Sequence, residues 1–257
     1  MIDLHCHILP KFDDGPQSWE DSLAMARMAA KDGITDLVAT PHFGKVFYQH
    51  DLDAIRKAVH LLGQRLREEG VALRIYAGAD VALDSDLQNW VQEGRLPTIA
   101  DNGRYFLLEP PEGLSLSGIE QMVFELKLAG LTPIITHPER MEAGDDWAWL
   151  RRLVELGCLS QLTGMSLTGG FGPKARKQAR HLLREGLAHI IASDAHSPRH
   201  RPPLLSEARE ALIDLVGSET ALLMLKTWPQ AVLEGRELEL PPLPVARRRP
   251  GWFSFRR

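Results

Sequence analysis

Two histidines near the start of the chain have the spacing of a metal-binding pair. Residues 2–7 read Ile-Asp-Leu-His-Cys-His and predict a short buried strand. Side chains two residues apart on a strand point the same way, so His5 and His7 project together and Cys6 points to the other face. Two adjacent imidazoles form half of a metal site. Because a lone pair of this kind is common, the prediction depends on the donors that follow later strands.

Further acids and histidines follow the carboxyl ends of the other predicted strands. In chain order they are Asp14, His42, Asp80, Glu109, His137, Asp194 and His196. Imidazole and carboxylate ligands suit zinc, manganese or iron, and the set excludes a thiolate-rich structural site. Nine donors are too many for one ion, so we predict two or three ions that share bridging carboxylates. The remaining histidines are interpreted as structural or solvated: His50, His60, His181, His189 and His200.

The elements that must position these donors alternate between strands and helices. Buried apolar runs predict strands over residues 2–6, 34–40, 71–81, 105–109, 133–136, 158–162 and 188–192. Apolar periodicity and terminal glycines predict helices over residues 18–32, 51–69, 117–129, 146–156, 173–185, 203–216 and 219–225. This alternation is typical of an α/β fold with a parallel sheet, because each parallel crossover needs a helix.

A barrel and an open doubly wound sheet both fit this alternation. An open sheet concentrates its site at one switch point, whereas a barrel gathers all its strand ends around one mouth. Since the candidate donors follow nearly every strand, we favour the barrel. We predict one barrel domain over residues 1–240 and a separate tail over residues 241–257.

The composition limits the class of protein. The chain has 257 residues, of which 44% are hydrophobic and 25% charged, as in an ordinary soluble domain. A net charge of −4 gives no reason to expect a nucleic-acid partner. No apolar run approaches the roughly 20 residues that span a bilayer, and the polar N-terminus is not a signal peptide. Two cysteines cannot form a disulfide framework, so we expect a reducing, cytoplasmic compartment.

Missing motifs exclude two other kinds of phosphate chemistry. A cysteine-based tyrosine phosphatase needs an arginine six positions after its nucleophile, but Phe12 and Gly164 occupy that position after Cys6 and Cys158. The chain contains no GxxxxGK[ST] motif, which excludes a P-loop. The loop over residues 169–172 is too short for a dinucleotide fingerprint, and either an anion-binding turn or a plain connection fits it.

Several segments together resemble a known family. IDLHCHILP, FDDGP, ATPHF, LLEP, THPER and SDAH followed by RPP resemble the PHP (polymerase and histidinol phosphatase) superfamily. They are most similar to its bacterial capsule-associated protein tyrosine phosphatases, over residues 2 to about 210. The resemblance implies a distorted (β/α)₇ barrel, a trinuclear metal centre that is often supported by manganese, and hydrolysis of phosphotyrosine.

The resemblance also divides the donors among three ions. The implied groups are His5, His7, Glu109 and Asp194 for one ion, Glu109 and His137 for a second, and Asp14, His42 and His196 for a third. Asp80 occupies a position where the family usually has Glu. Its side chain is one methylene shorter, so direct binding, binding through water and a shifted ion all remain open.

Two arginines complete the predicted site. The resemblance selects Arg140 of the HPER motif and Arg201, which has Arg199 and His200 beside it as alternatives. A phosphate dianion needs fork-shaped donors, and arginine contacts it in a bidentate manner without losing its charge. The predicted mechanism is in-line attack of a metal-bound hydroxide on phosphorus, with the arginines neutralising the equatorial oxygens.

Three functions follow from this prediction. The first is a metal-dependent protein tyrosine phosphatase whose partner is a bacterial tyrosine autokinase that regulates capsule or exopolysaccharide synthesis. The second is a phosphoesterase for a small phosphomonoester such as histidinol phosphate. The third, a catalytically inactive module that recruits the kinase, is disfavoured by the intact donor set. Manganese is the expected metal, with iron or zinc as alternatives, and the oligomeric state stays open.

The C-terminal tail mixes arginines with aromatic residues over residues 247–257. Such a segment suits peripheral contact with anionic lipid or with an acidic partner. A solvated tail without a partner fits the same composition.

Overall fold

The computed structural model describes residues 1–44, 48, 50–83, 86–110, 118–141 and 147–243. Residues 244–257, to which the predicted tail contact belongs, lie outside the described residues. Within the described ranges, no helix is both long enough and apolar enough to cross a membrane.

Short buried strands form the wall of the fold. In the described residues they are β1 (Ile2–Cys6), β2 (Asp36–Ala39), β3 (His42–Phe43), β4 (Arg74–Ala77), β5 (Asp80–Ala82), β6 (Tyr105–Glu109), β7 (Thr132–Thr136), β8 (Leu159–Thr163) and β9 (Ile190–Ala192). Every predicted strand is present. The second predicted strand was expected to stop at Pro41, but a further short strand, β3, follows directly after that proline. The third is divided at Gly78, where a Cβ atom would lie 2.7 Å from Cγ1 of Val38.

The strands pair in parallel around a ring. One sheet has the order β1-β2-β4 and the other has the order β3-β5-β6-β7-β8-β9. The two sheets are continuous because β2 leads into β3 and β4 leads into β5. The ring closes where Cys6 forms a parallel bridge with Ala195, and the amide of Asp194 donates to the carbonyl of His5 at 2.8 Å. The predicted distorted seven-stranded α/β barrel is therefore confirmed.

In the described residues, helices lie between successive strands along the chain, and the last three helices follow the final strand. The helices are α1 (Trp19–Lys31), α2 (Leu52–Glu68), α3 (Leu87–Gln92), α4 (Ile119–Leu128), α5 (Ala148–Glu155), α6 (Gly164–Thr168), α7 (Gly172–Arg184), α8 (Ser206–Val216), α9 (Ser218–Leu222) and α10 (Trp228–Leu233). The side chain of Ser18 accepts a hydrogen bond from the amide of Asp21 and begins α1 where the sequence predicts. Short 3₁₀ turns occur at Ile99–Asp101 and Pro138–Arg140.

The helical predictions need two corrections. The last predicted helix, over residues 219–225, does not end there, because α9 continues through a π-helical turn, Leu223–Thr227, into α10. Pro229 lies in the first turn of α10, where proline is tolerated. The short helices α3 and α6 were not predicted, since five or six residues are too few to show helical periodicity.

Alternate strand residues face two separate hydrophobic clusters. Leu107 and Ile134 pack in the smaller cluster inside the barrel, which Val232 and Leu233 of α10 complete. Their neighbours Phe106 and Ile135 pack in the larger cluster with the surrounding helices. This two-residue alternation explains why the strands are apolar throughout, since both faces are buried.

A buried histidine makes the stability of the fold sensitive to acid. His189 precedes β9, is 4% exposed, and accepts a 3.0 Å hydrogen bond at Nδ1 from the amide of Ser160. Burial lowers the pKa of its imidazole to about 4, whereas an unfolded chain has a value of about 6.5. The folded state therefore favours the neutral ring. Its contribution to stability is complete above pH ~6.5 and is lost as the pH falls towards ~4.

We expect the titration of His189 to lower the free energy of unfolding by about 2 kcal/mol as the pH falls from ~7.5 to ~5. His189→Asn keeps a hydrogen-bond acceptor but removes the titrating ring, so its unfolding free energy should fall less over the same interval. Urea unfolding at the two pH values measures the difference. His60→Asn, on the exposed face of α2, is the matched control. An equal loss in the wild type and in His189→Asn would contradict the prediction.

Candidate metal centre

The carboxyl ends of the strands surround one pocket with a volume of about 280 Å³. Its lining residues are Asp14, His42, Glu109, Pro110, His137, Arg140, Met141, Asp194, His196 and Arg201. His5, His7 and Asp80 are fully buried and contact the lining residues Asp194 and His42 from below. All eleven residues predicted for the site therefore converge on one space, although they are distant along the chain.

A first group of donors consists of His5, His7 and Asp80, whose ligand atoms lie within 4.8 Å of one another. The Nε2 atoms of the two histidines are 3.1 Å apart, and Oδ2 of Asp80 lies 3.5 Å from Nε2 of His5. Neither carboxylate oxygen of Asp80 has a hydrogen-bond partner among the described residues. Burial raises the pKa of Asp80, but His5, His137 and His42 outweigh it and lower the pKa overall. An ionised buried carboxylate facing two ring nitrogens fits a divalent cation.

A second group of donors consists of His7, Asp14, His42 and His196. Oδ1 of Asp14 lies 3.4 Å from Nε2 of His42 and 3.4 Å from Nε2 of His196. The neighbouring rings of His196 and His42 lower the pKa of Asp14. Burial, together with the neighbouring rings of His196 and His42, lowers the pKa of His7 well below its usual value. A neutral ring at His7 and an ionised carboxylate at Asp14 are the protonation states that metal binding requires of these two residues.

A third group of donors consists of His42, Asp80 and Glu109. Nδ1 of His42 lies 3.6 Å from Oδ2 of Asp80 and 3.6 Å from Oε2 of Glu109. His137 is adjacent, with Nε2 at 3.8 Å from Oε1 of Glu109. The resemblance grouped Glu109 with His5, His7 and Asp194, whereas here the acids that lie within 3.6 Å of the Nε2 atoms of those two rings are Asp80 and Asp194. Glu109 lies beside His42 and His137.

Hydrogen bonds to the remote ring nitrogens orient three of the histidines. Nδ1 of His7 donates to Oδ2 of Asp13 at 2.6 Å, and Nδ1 of His5 donates to Oε1 of Gln161 at 2.7 Å. Nδ1 of His196 donates to the carbonyl of Asp194 at 3.0 Å. Each bond leaves the Nε2 lone pair directed at the pocket, which is the usual arrangement of a metal-binding histidine.

Asp13 and Gln161 were not identified from the sequence. Asp13 adjoins Asp14 in the FDDGP motif, and only its neighbour was selected as a ligand. Its carboxylate also accepts hydrogen bonds from the amides of Gly15 and His42, so it joins three segments of the site. Gln161 lies 156 residues from His5 in the chain, and no local pattern connects them.

Asp194 joins the donor groups to both predicted arginines. Its Oδ1 lies 3.4 Å from Nε2 of His5, whereas its Oδ2 accepts hydrogen bonds from Nη2 of Arg140 at 2.5 Å and pairs with Nη2 of Arg201 at 2.6 Å. Arg201 also donates to the carbonyl of Asp194. Burial raises the pKa of Asp194, but His5 and Arg140 are the leading groups that lower it, overall to about 2.

The backbone of two site residues is held in the left-handed region. His137 has a φ of 35° and Asp194 a φ of 51°, which are uncommon for residues other than glycine. The buried Glu139 holds the turn after His137 in place. Its Oε1 accepts from the amide of Thr163 and from the hydroxyl of Ser166.

His50 and the two cysteines lie outside the three donor groups. Nε2 of His50 donates a hydrogen bond to the carbonyl of His42 at 2.8 Å. This bond helps to fix the backbone that carries the His42 imidazole. The thiols of Cys6 and Cys158 are buried and free. Burial raises the pKa of Cys6 well above its usual value and that of Cys158 to about 12. Neither is a thiolate at neutral pH, in agreement with the exclusion of a cysteine nucleophile.

Comparisons with known proteins agree with this geometry. The family model described as "Capsular polysaccharide synthesis, CpsB/CapC" matches residues 1–234. The tyrosine-protein phosphatase YwqE of Bacillus subtilis (strain 168) is 34% identical over 250 residues, which cover 97% of this chain and 98% of that protein. The tyrosine-protein phosphatase CpsB of Streptococcus pneumoniae is 29% identical and covers 91% of this chain and 98% of its own length.

A solved structure shows the same likeness. It comes from a study described as "Crystal structures of YwqE from Bacillus subtilis and CpsB from Streptococcus pneumoniae, unique metal-dependent tyrosine phosphatases". The match has a TM-score of 0.90 and 34% sequence identity, and it covers 96% of this chain and 100% of the other.

Removing the carboxylate that orients His7 should weaken metal binding. Asp13→Ala takes away the acceptor of Nδ1, so the ring can turn and its Nε2 lone pair loses its direction. Loss of such a supporting carboxylate typically reduces metal affinity by about 10- to 100-fold. Calorimetric titration of metal-depleted protein with manganese measures the change, with Asp53→Ala on exposed α2 as the control. An unchanged affinity would show that Asp13 has no such role.

Proposed function

The chain belongs to the CpsB/CapC family of capsular polysaccharide synthesis proteins, and we propose that it is a metal-dependent protein tyrosine phosphatase. The observation that carries this proposal is the convergence of nine imidazole and carboxylate donors and two arginines on one pocket. Nitrogen and oxygen donors without thiolates fit manganese, with iron or zinc as alternatives.

We assign the donors to three ion positions. His5 and His7 would hold one ion with Asp194, and His137 and Glu109 would hold a second. The third would be held by Asp14, His42 and His196. Asp80 has atoms near His5, His42 and His137, so we place it between the first two positions. When bound, divalent ions supply Lewis-acid stabilisation of phosphate charge and a nucleophilic water at neutral pH.

Arg140 and Arg201 would bind the phosphoryl group. Their side chains are largely buried at the pocket, and the Nε atom of each lacks a hydrogen-bond partner among the described residues. Unused N–H donors beside an anion pocket are suited to phosphate oxygens, and they neutralise the charge that the equatorial oxygens carry in the transition state. Oδ2 of Asp194 contacts both guanidinium groups and positions them beside the pocket.

The shape of the pocket suits an aryl phosphate. Pro110 and Met141 place apolar surface beside the donors, where the ring of a phosphotyrosine can pack. The homologous YwqE and CpsB are named tyrosine-protein phosphatases. We therefore propose a phosphotyrosine-bearing tyrosine autokinase of capsule or exopolysaccharide synthesis as the substrate. The buried free thiols suit a reducing, cytoplasmic location.

Substrate preference separates this proposal from the small-molecule alternative. We expect manganese-loaded protein to hydrolyse a phosphotyrosine peptide with a higher kcat/KM than histidinol phosphate, because only the peptide has a phenyl ring bonded directly to the phosphate oxygen, where it can pack against Pro110 and Met141. Release of inorganic phosphate measures both reactions. The reverse order of kcat/KM would favour the small phosphomonoester. Tight binding of the peptide without turnover of either compound would indicate a binding module.

Removing one proposed ligand should abolish turnover without unfolding the chain. His137→Ala takes away a nitrogen donor beside Glu109, and we expect kcat/KM to fall by more than about 100-fold, the upper end for loss of a supporting group. The circular dichroism spectrum should stay that of the wild type. His200→Ala, in the exposed segment before Arg201, is the control. Full activity of His137→Ala would refute the assignment.

A further inference from the structure

We propose that Phe171 is a positioning residue that holds the guanidinium groups of Arg140 and Arg201 side by side for phosphate binding. The inference rests on the proposed phosphatase function and adds to it a residue outside the metal centre. It also gives a role to the glycine-rich loop over residues 169–172, for which the sequence left an anion-binding turn and a plain connection open.

Both arginines lie over the same aromatic ring. The Cζ atom of Arg140 is 4.7 Å from the centroid of Phe171, and the Cζ atom of Arg201 is 5.5 Å from it. Both distances are within the ~6 Å at which a guanidinium is attracted by the negative face of an aromatic ring. One ring therefore contacts both of the cations that we assign to phosphate.

Two converging cations need a second support besides Asp194. Their like charges repel, and each forms an ion pair through Nη2 with the same oxygen, Oδ2 of Asp194. An incoming phosphate competes for these donors. A cation–π contact uses the face of the guanidinium and leaves its N–H edge free, so Phe171 can hold both groups while they donate to phosphate.

The backbone of the loop over residues 169–172 explains how the ring of Phe171 comes to lie beside the two arginines. Gly169 and Gly172 have φ values of 101° and 86°, and the amide of Gly172 donates to the carbonyl of Gly169 at 2.9 Å. At Gly170 a Cβ atom would lie 2.7 Å from Cε of Met165. The glycines thus permit a tight turn between α6 and α7 with Phe171 inside it. Helix α7, which follows this loop, packs against the Pro138–Arg140 turn, which carries one of the two arginines.

Matched substitutions separate the aromatic face from simple packing. Phe171→Leu keeps an apolar side chain and removes the ring, whereas Phe171→Tyr keeps the ring. We expect Phe171→Leu to bind inorganic phosphate about tenfold more weakly than the wild type and Phe171→Tyr to bind it within about twofold, since each cation–π contact has a modest strength. Phe124→Leu, the same change on the exposed face of α4, controls for the substitution itself.

The measurement is calorimetric titration of the manganese-loaded proteins with inorganic phosphate, alongside KM and kcat for an aryl phosphate and the bound metal content. A weaker phosphate affinity and a raised KM in Phe171→Leu, with unchanged metal content and rescue by Phe171→Tyr, would support the inference. Wild-type phosphate affinity in Phe171→Leu, or equal losses in Phe171→Leu and Phe171→Tyr, would overturn it. Failure of the wild type to hydrolyse any aryl phosphate would instead overturn the proposed function, and the two failures are therefore distinguishable.

Discussion

The burial of two ionised carboxylates, Asp80 and Asp194, is the constraint on which the rest of this site depends. Removing a carboxylate from water costs several kcal/mol unless positive groups or hydrogen-bond donors compensate for it. Burial raises the pKa of each acid, yet both pKa values end below the usual range, because imidazoles surround Asp80 and both imidazoles and guanidiniums surround Asp194. The two acids thus determine where cations must gather, whether these are arginines or metal ions.

Two strands of the barrel are divided, and these divisions help to place an imidazole next to the buried Asp80. β3 begins with His42 and β5 begins with Asp80, and these two residues are direct partners in the parallel register. The interruptions before β3 and β5 therefore bring an imidazole and an acid to the same level of the wall. After β7 and β9, the donors His137 and Asp194 have left-handed backbone. Strain of this kind persists when surrounding contacts hold it, as Glu139 does after His137.

Asp194 links two parts of the site that perform different tasks. One of its oxygens faces the ring nitrogens of His5 and His7, and the other faces Arg140 and Arg201. A change in the charge near the histidines therefore alters the electrostatic environment of the two arginines that we propose as phosphate-binding residues. Phe171 adds a contact between its ring and both guanidinium groups. The site thus combines a charged contact with an uncharged one at the same pair of side chains.

The sequence by itself determined the types of donor and the order of the strands that carry them. Strand patterning is local, since alternation within five residues is enough to pair His5 with His7. The residues that follow each strand could therefore be assigned to one edge of a barrel. The resemblance to the PHP superfamily added the two arginines. Only the tertiary structure decided which side chains became neighbours. Gln161 contacts His5 because the barrel closes, and Phe171 contacts Arg201 because its loop turns. No local period in the sequence encodes either contact. The continuation of α9 into α10 was likewise decided by packing, since Val232 and Leu233 of α10 are buried in the cluster inside the barrel.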